Sequence, residues 1–195
     1  MPLRRAGFWP LALAMAASSL GCGSDIESHA GEPTGECGAI ETSYENGTRA
    51  HLGECSDIEY PMSPPVFGDH YPFWAAFQSY DFPVPLGYLV HSLEHGAVIF
   101  FYDCPDGCTE EVSEVQAFID DLPVDPLCTG DVERRVILVP RPALGARWAA
   151  AAWGYSLRAA CFDRAIFQQF YDDHVAQGPE NLCNQGVVIT EDACR

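Results

Sequence analysis

From residue 97 to the C-terminus, apolar and polar positions fall into blocks that read as regular elements. "AVIFFYD" (97–103) is a short apolar run of strand type. "TEEVSEVQAFIDDL" (109–122) has Thr109 as a cap and acids in its first turn. It places Val112, Val115, Phe118, Ile119 and Leu122 on one face, and Pro123 ends it. "RRVILVP" (134–140) predicts a second strand. "RWAAAAWGYS" (147–156) supports two readings: its alanines favour helix, while the preceding strand and Gly154 favour an edge strand. "DRAIFQQFYDDHVAQGP" (163–179) predicts a helix capped by Asp163 and stopped at Gly178-Pro179. Ile166, Phe167, Phe170 and Tyr171 face inward, and His174 sits on the polar side. "GVVIT" (186–190) predicts a last strand. The resulting order predicts an α+β fold in two layers, an antiparallel sheet with two helices on one face, in ferredoxin-like order.

The part before residue 97 is patterned differently. Residues 37–85 are loop-rich, and the prolines at 61, 64, 65 and 72 rule out regular helix there. Short strands are expected at 48–52 and 57–60. A loop of this length and stiffness usually carries function or forms a packed lid. Residues 23–36, "GSDIESHAGEPTGE", are polar, Gly-rich and acidic, which predicts a flexible tether with His29 solvated in it. Residues 1–21 have two arginines, an apolar stretch and then small residues, the layout of a secretory signal peptide. "SLGC" places Cys22 at the position of a lipidated cysteine. The expectation is therefore a chain held to a membrane through a lipid on Cys22, in the cell envelope outside the cytoplasm, with residues 22–36 as tether and 37–195 as one domain. The plainer reading is an ordinary signal cleaved nearby.

Cysteine parity bears on that choice. Nine cysteines are an awkward number for an exported chain. With Cys22 lipidated, eight remain for four disulfides: Cys37, Cys55, Cys104, Cys108, Cys128, Cys161, Cys183 and Cys194. Nearness in sequence suggests Cys37–Cys55, Cys104–Cys108, Cys183–Cys194 and Cys128–Cys161. No C-x-x-C pair is present, so a thiolate zinc site has little support. Charge removes other classes. All ten basic residues are arginine, and taking away Arg4 and Arg5 with the signal leaves eight against 28 acids, a net charge of −20. Such a surface repels nucleic acid and anionic lipid. No protein partner can be named from it.

The chemistry concentrates in "YLVHSLEHGAVIFFY" (88–102), where His91, Glu94 and His95 spell H-x-x-E-H. On a helical turn the Cβ atoms of His91 and His95 stand about 6 Å apart on one face and can share an ion. On a strand they stand about 13 Å apart and cannot. Pro85, Gly87 and Gly96 bracket a segment of about two turns, which favours the helix. His51 and His70 lie in the loop-rich stretch ahead of it.

"RAHLGECSDIEY", "PPVFGDHYPFW", "SYDFPVP", "VHSLEHGAVIFFY" and "AAAAWGYSL" occur in the order and spacing of a bacterial family known as domain of unknown function 3105. The resemblance covers residues 48–178. It puts His51, His70, His91 and His95 on the family's histidine positions and Glu94 and Gly96 between the last two and after them. The chain departs from the pattern at Val66, Phe67 and Asp69, where the family has Thr, Ser and Pro. The resemblance implies an exported or membrane-anchored bacterial protein and supplies no activity.

Three functional expectations follow. The first is a mononuclear metal site, copper or zinc, drawn from His51, His70, His91 and His95, with Glu94 as ligand or as partner of a ligand. The second is a non-catalytic envelope module in which the histidines are structural. The third is an H-x-x-E-H hydrolase, against which Gly96 and the following strand speak by cutting the helix short. No G-x-S-x-G elbow, phosphate loop or dinucleotide fingerprint is present.

Overall fold

The computed structural model describes residues 26–45 and 47–195; the expected signal peptide and Cys22 lie outside them. Nine elements follow one another: β1 (Ser28–Ala30), β2 (Ile40–Tyr44), α1 (Leu86–Glu94), β3 (Val98–Tyr102), α2 (Thr109–Asp120), β4 (Val136–Pro140), β5 (Trp148–Ala152), β6 (Tyr155–Ala159) and α3 (Arg164–His174). The strands form one six-stranded sheet in the order β1-β2-β6-β5-β3-β4. All pairings are antiparallel except β3 with β4, which α2 connects as parallel neighbours. The α+β class stands. The antiparallel, two-helix, ferredoxin-like order does not, because the sheet is mixed and α1 adds a third helix.

Alternation along the strands decides where the helices pack. In β3, Val98 and Phe100 face α2 and α3, in a core with Phe118, Phe167, Phe170 and Trp148. Phe100 meets Phe118 and Phe167 at ring-centroid distances of 5.6 and 6.1 Å. Ile99 and Phe101 face the other way, into a core with Leu89, Val90 and Leu93 of α1 and Val66, Phe67 and Tyr71 of the long loop. Each of these large buried side chains contributes about 1.5–3 kcal/mol of hydrophobic stabilisation. Both faces of the sheet are therefore covered, and the molecule has three layers rather than two.

The alanine-rich segment is neither helix nor edge. It forms β5, between β3 and β6, and turns back at Gly154 (φ +82°). Ala149 and Ala151 lie in the α1-side core and Ala150 and Ala152 in the α2/α3-side core, so small side chains sit where both layers press on the strand. The strands expected at 48–52, 57–60 and 186–190 are absent. Single bridges, His51 with His70 and Ala75 with Val187, stand in place of the first and last, and residues 57–60 form none. Within the expected tether, Ser28–Ala30 forms the exposed edge strand β1 on β2. At the opposite edge Tyr80 N–H donates to Leu138 O at 2.8 Å, so the long loop covers β4.

Among the described residues there are four disulfides: Cys37–Cys161, Cys55–Cys194, Cys104–Cys108 and Cys128–Cys183. Of the pairings suggested by nearness, only Cys104–Cys108 is found. The others are set by the sheet and the returning C-terminus. Ile40 pairs with Arg158 in the β2–β6 ladder, and the same register carried outward brings Cys37 opposite Cys161. Four bridges point to an oxidising, extracytoplasmic environment. Among the described residues no helix is long and apolar enough to cross a membrane.

Candidate metal centre

The site is built at the C-terminal end of α1. Pro85 precedes the helix with φ −56° and ψ 132°, an extended entry that proline fixes. Gly87 lies so close to the Tyr71 ring that a Cβ there would sit 2.7 Å from it. The loop thus packs directly on the helix, and residues 87–94 are all buried. The helix ends in a Schellman turn. Gly96 N–H donates to Leu93 O at 2.9 Å and Ala97 N–H to Ser92 O at 3.1 Å, with Gly96 at φ +84°. The H-S-L-E-H-G stretch therefore sets His91, Glu94 and His95 on one helical face and then turns the chain sharply into β3.

Two loop histidines meet that face. Leu52 N–H donates to His70 O at 2.8 Å and His70 N–H to Ala50 O at 3.0 Å, so a single parallel bridge lays His51 beside His70. Asp69 reinforces it by accepting from Ala50 N–H at 2.9 Å. The imidazole rings of His51, His70 and His91 form a triangle with centroids 4.8, 4.8 and 4.7 Å apart. His51, His70, His91 and Glu94 each offer a ligand atom, and these atoms all lie within 4.8 Å of one another. His70, His91 and Glu94 are buried, whereas the His51 side chain is half exposed and opens the site to solvent.

Hydrogen bonds behind the rings fix which nitrogens face inward. His70 Nδ1 lies 2.8 Å from Gly68 O and His91 Nδ1 lies 2.7 Å from Tyr71 O. A carbonyl can only accept, so both Nδ1 atoms carry the proton and, in the neutral ring, both Nε2 atoms present lone pairs. Burial, together with the neighbouring imidazoles, pushes His91 down to about 3, so its ring is neutral at physiological pH. Burial also lowers His95. His70 Nε2 lies 3.0 Å from Glu94 Oε2 and, among the described residues, has no hydrogen-bond partner. The separation suits a hydrogen bond but the alignment does not. His51 Nε2 stands 3.9 Å from the same oxygen, and Arg49 reaches Glu94 Oε1 at 3.4 Å from the solvent side.

His95 stands beside this cluster rather than in it. Its Nε2 is 3.2 Å from His91 Nε2 and 3.5 Å from Glu180 Oε2, and Trp74 packs on its ring at 4.4 Å. Glu94, His95 and Glu180 form a second group of atoms within 4.8 Å of one another. Glu180 was not singled out from sequence; the Gly178-Pro179 stop just ahead of it was its only signal. Arg135, fully buried, ties the surroundings together. It donates to His95 O at 2.9 Å, to the Asn181 side chain, and to Asp125 at 2.7 Å. His174, expected on the surface, is buried against Tyr155 at 4.1 Å with its Nε2 3.0 Å from Glu41, and it belongs to no site. His29 is exposed, as expected.

A loop-borne histidine pair set against a helix-borne His/Glu face, in a three-layer α+β domain, defines the class of the chain. It belongs to the family of proteins of unknown function DUF3105, whose model matches residues 51–186, a span containing all six side chains of the two groups. No curated protein and no solved structure matches it.

Proposed function

We propose that the chain is an extracytoplasmic metal-binding protein that holds one copper or zinc ion through His51, His70, His91 and Glu94, and that a lipid on Cys22 anchors it to the cell envelope. The observation that carries the metal reading is the His70–Glu94 pair. His70 Nδ1–H is already given to Gly68 O, so in the neutral tautomer its Nε2 lone pair points at a buried carboxylate 3.0 Å away. In that tautomer two acceptors face each other at that distance, and a cation between them turns repulsion into coordination. Three imidazoles with one carboxylate form a borderline donor set, suited to zinc or copper, and the carbonyls behind His70 and His91 orient the rings as ligand partners do.

The H-x-x-E-H hydrolase reading is weaker. α1 ends at Glu94, with His95 as its cap. Glu94 also sits among the imidazoles, where it serves as a ligand rather than as a base standing off from an ion. A purely structural cluster leaves His70 Nε2 unpartnered at no gain.

The test is elemental analysis of residues 23–195, exported to the periplasm and purified without chelator, beside His70→Ala and His91→Ala variants. Near-stoichiometric copper or zinc in the wild type, lost in folded variants, supports the proposal. No metal in the wild type after incubation with either ion refutes it.

A further inference from the structure

Resting on that reading, we propose that the centre is dinuclear: Glu94, His95 and Glu180 form a second cation position, and the Glu94 carboxylate bridges it to the first. Glu94 belongs to both groups of mutually close ligand atoms. His95 Nε2–H donates to His91 Nε2 at 3.2 Å; on loading that proton is released and the two nitrogens divide between the ions, His91 to the first and His95 to the second. In carboxylate-bridged pairs the ions stand about 3.5–4 Å apart, a span this crowding allows.

The placement of Glu180 is built rather than incidental. Gly178 passes directly against the backbone at the end of α1, where a Cβ would collide with Glu94 O and Gly96 N. Glu180 N–H then donates to Glu94 O at 2.9 Å. The buried guanidinium of Arg135 joins Asn181, the next residue, to His95 O. Backbone and side chain together thus hold the 178–181 segment on the helix end, and the Glu180 carboxylate arrives 3.5 Å from His95 Nε2. His95 is itself buried, and among the described residues its Nδ1 has no hydrogen-bond partner.

The two positions differ in chemistry. The first has three imidazoles and a carboxylate. The second has one imidazole and two carboxylates, a harder set that suits zinc or manganese and leaves coordination places for water. The Glu180 side chain is 45 % exposed, so the second position opens to solvent through it, as the first does through His51.

The experiment is zinc loading of the chelator-stripped protein, with bound zinc counted by elemental analysis after desalting and by calorimetric titration. Wild type is expected to hold two equivalents. Glu180→Gln, a change at an accessible side chain, is expected to hold one, and His51→Ala/His70→Ala is expected to lose the other. One equivalent in both wild type and Glu180→Gln overturns the second position and leaves the mononuclear reading standing. No zinc in any form overturns both. Two equivalents unaffected by either substitution place the zinc elsewhere on the acidic surface and overturn the proposal as well.

Discussion

His70 Nε2 and Glu94 Oε2 lie 3.0 Å apart in the interior with no hydrogen bond joining them. His70 comes from an irregular loop and Glu94 from the last residue of α1. Their meeting depends on the bridge that aligns His51 with His70 and on the packing of Tyr71 over Gly87. Whatever loosens either support should weaken the site before it unfolds the domain.

The turn that ends α1 is a further support. Gly96→Ala places a side chain at φ +84° and brings its Cβ to 2.9 Å from Ala176 Cα. The expected cost is about 1–3 kcal/mol of stability, read from denaturant unfolding of the metal-free protein. A fall in metal affinity should accompany it, because His91, Glu94 and His95 all hang on that turn.

The Cys55–Cys194 disulfide also holds the loop, pinning it just after His51 to the C-terminus. Replacing both cysteines by alanine should cost about 2–5 kcal/mol. The loss should be larger in the presence of metal than after chelation, since only the loaded form needs His51 held in place. Thermal unfolding with and without chelator measures the difference.

The pH dependence away from the site has a definite sign. Glu111, bonded to Arg147 and to Trp148 Nε1, is held down at about 2 against an ordinary value of 4.5. A carboxyl held low binds fewer protons folded than unfolded, so its contribution to stability is present above about 4.5 and is lost as pH falls through about 2. Glu111→Gln should therefore destabilise the protein near neutral pH. The gap to wild type should close progressively in denaturant titrations below about pH 4.5. Because the pair is partly exposed, added salt should also narrow the gap.

The proposed lipid anchor should be separable from the fold. Cys22→Ala should move the exported protein from the membrane to the soluble fraction while leaving its four disulfides and its metal content unchanged. Fractionation with mass analysis of the N-terminus reads both outcomes.

Much of the site was legible in the sequence because helical spacing is local. His91, Glu94 and His95 fall on one face at three- and four-residue intervals, and Gly96 marks the stop. His51 and His70 could be named, but the bridge joining them could not, since two short stretches in a proline-rich loop carry no strand periodicity. Glu180 was missed because it reaches His95 only through the close approach at Gly178, a contact between distant parts of the chain. The fold shows the same division. α2, α3, β3 and β4 have clear periods and appear in the expected segments, although Cys108 rather than Thr109 caps α2 and α3 ends at His174, before the expected stop at Gly178. β5 is alanine-rich because both layers press on it, a tertiary cause that local propensity cannot register. The disulfides follow the β2–β6 register and the path of the C-terminus, so nearness in sequence misled for every pair but Cys104–Cys108.

The most direct measurement is anomalous-scattering crystallography of the zinc- or copper-loaded protein at the metal's absorption edge. The account predicts a peak within about 2.0–2.2 Å of the imidazole nitrogens of His51, His70 and His91 and of a Glu94 oxygen. A map from crystals equilibrated with metal that shows no peak there, with His70 Nε2 still beside the Glu94 carboxylate, would contradict it.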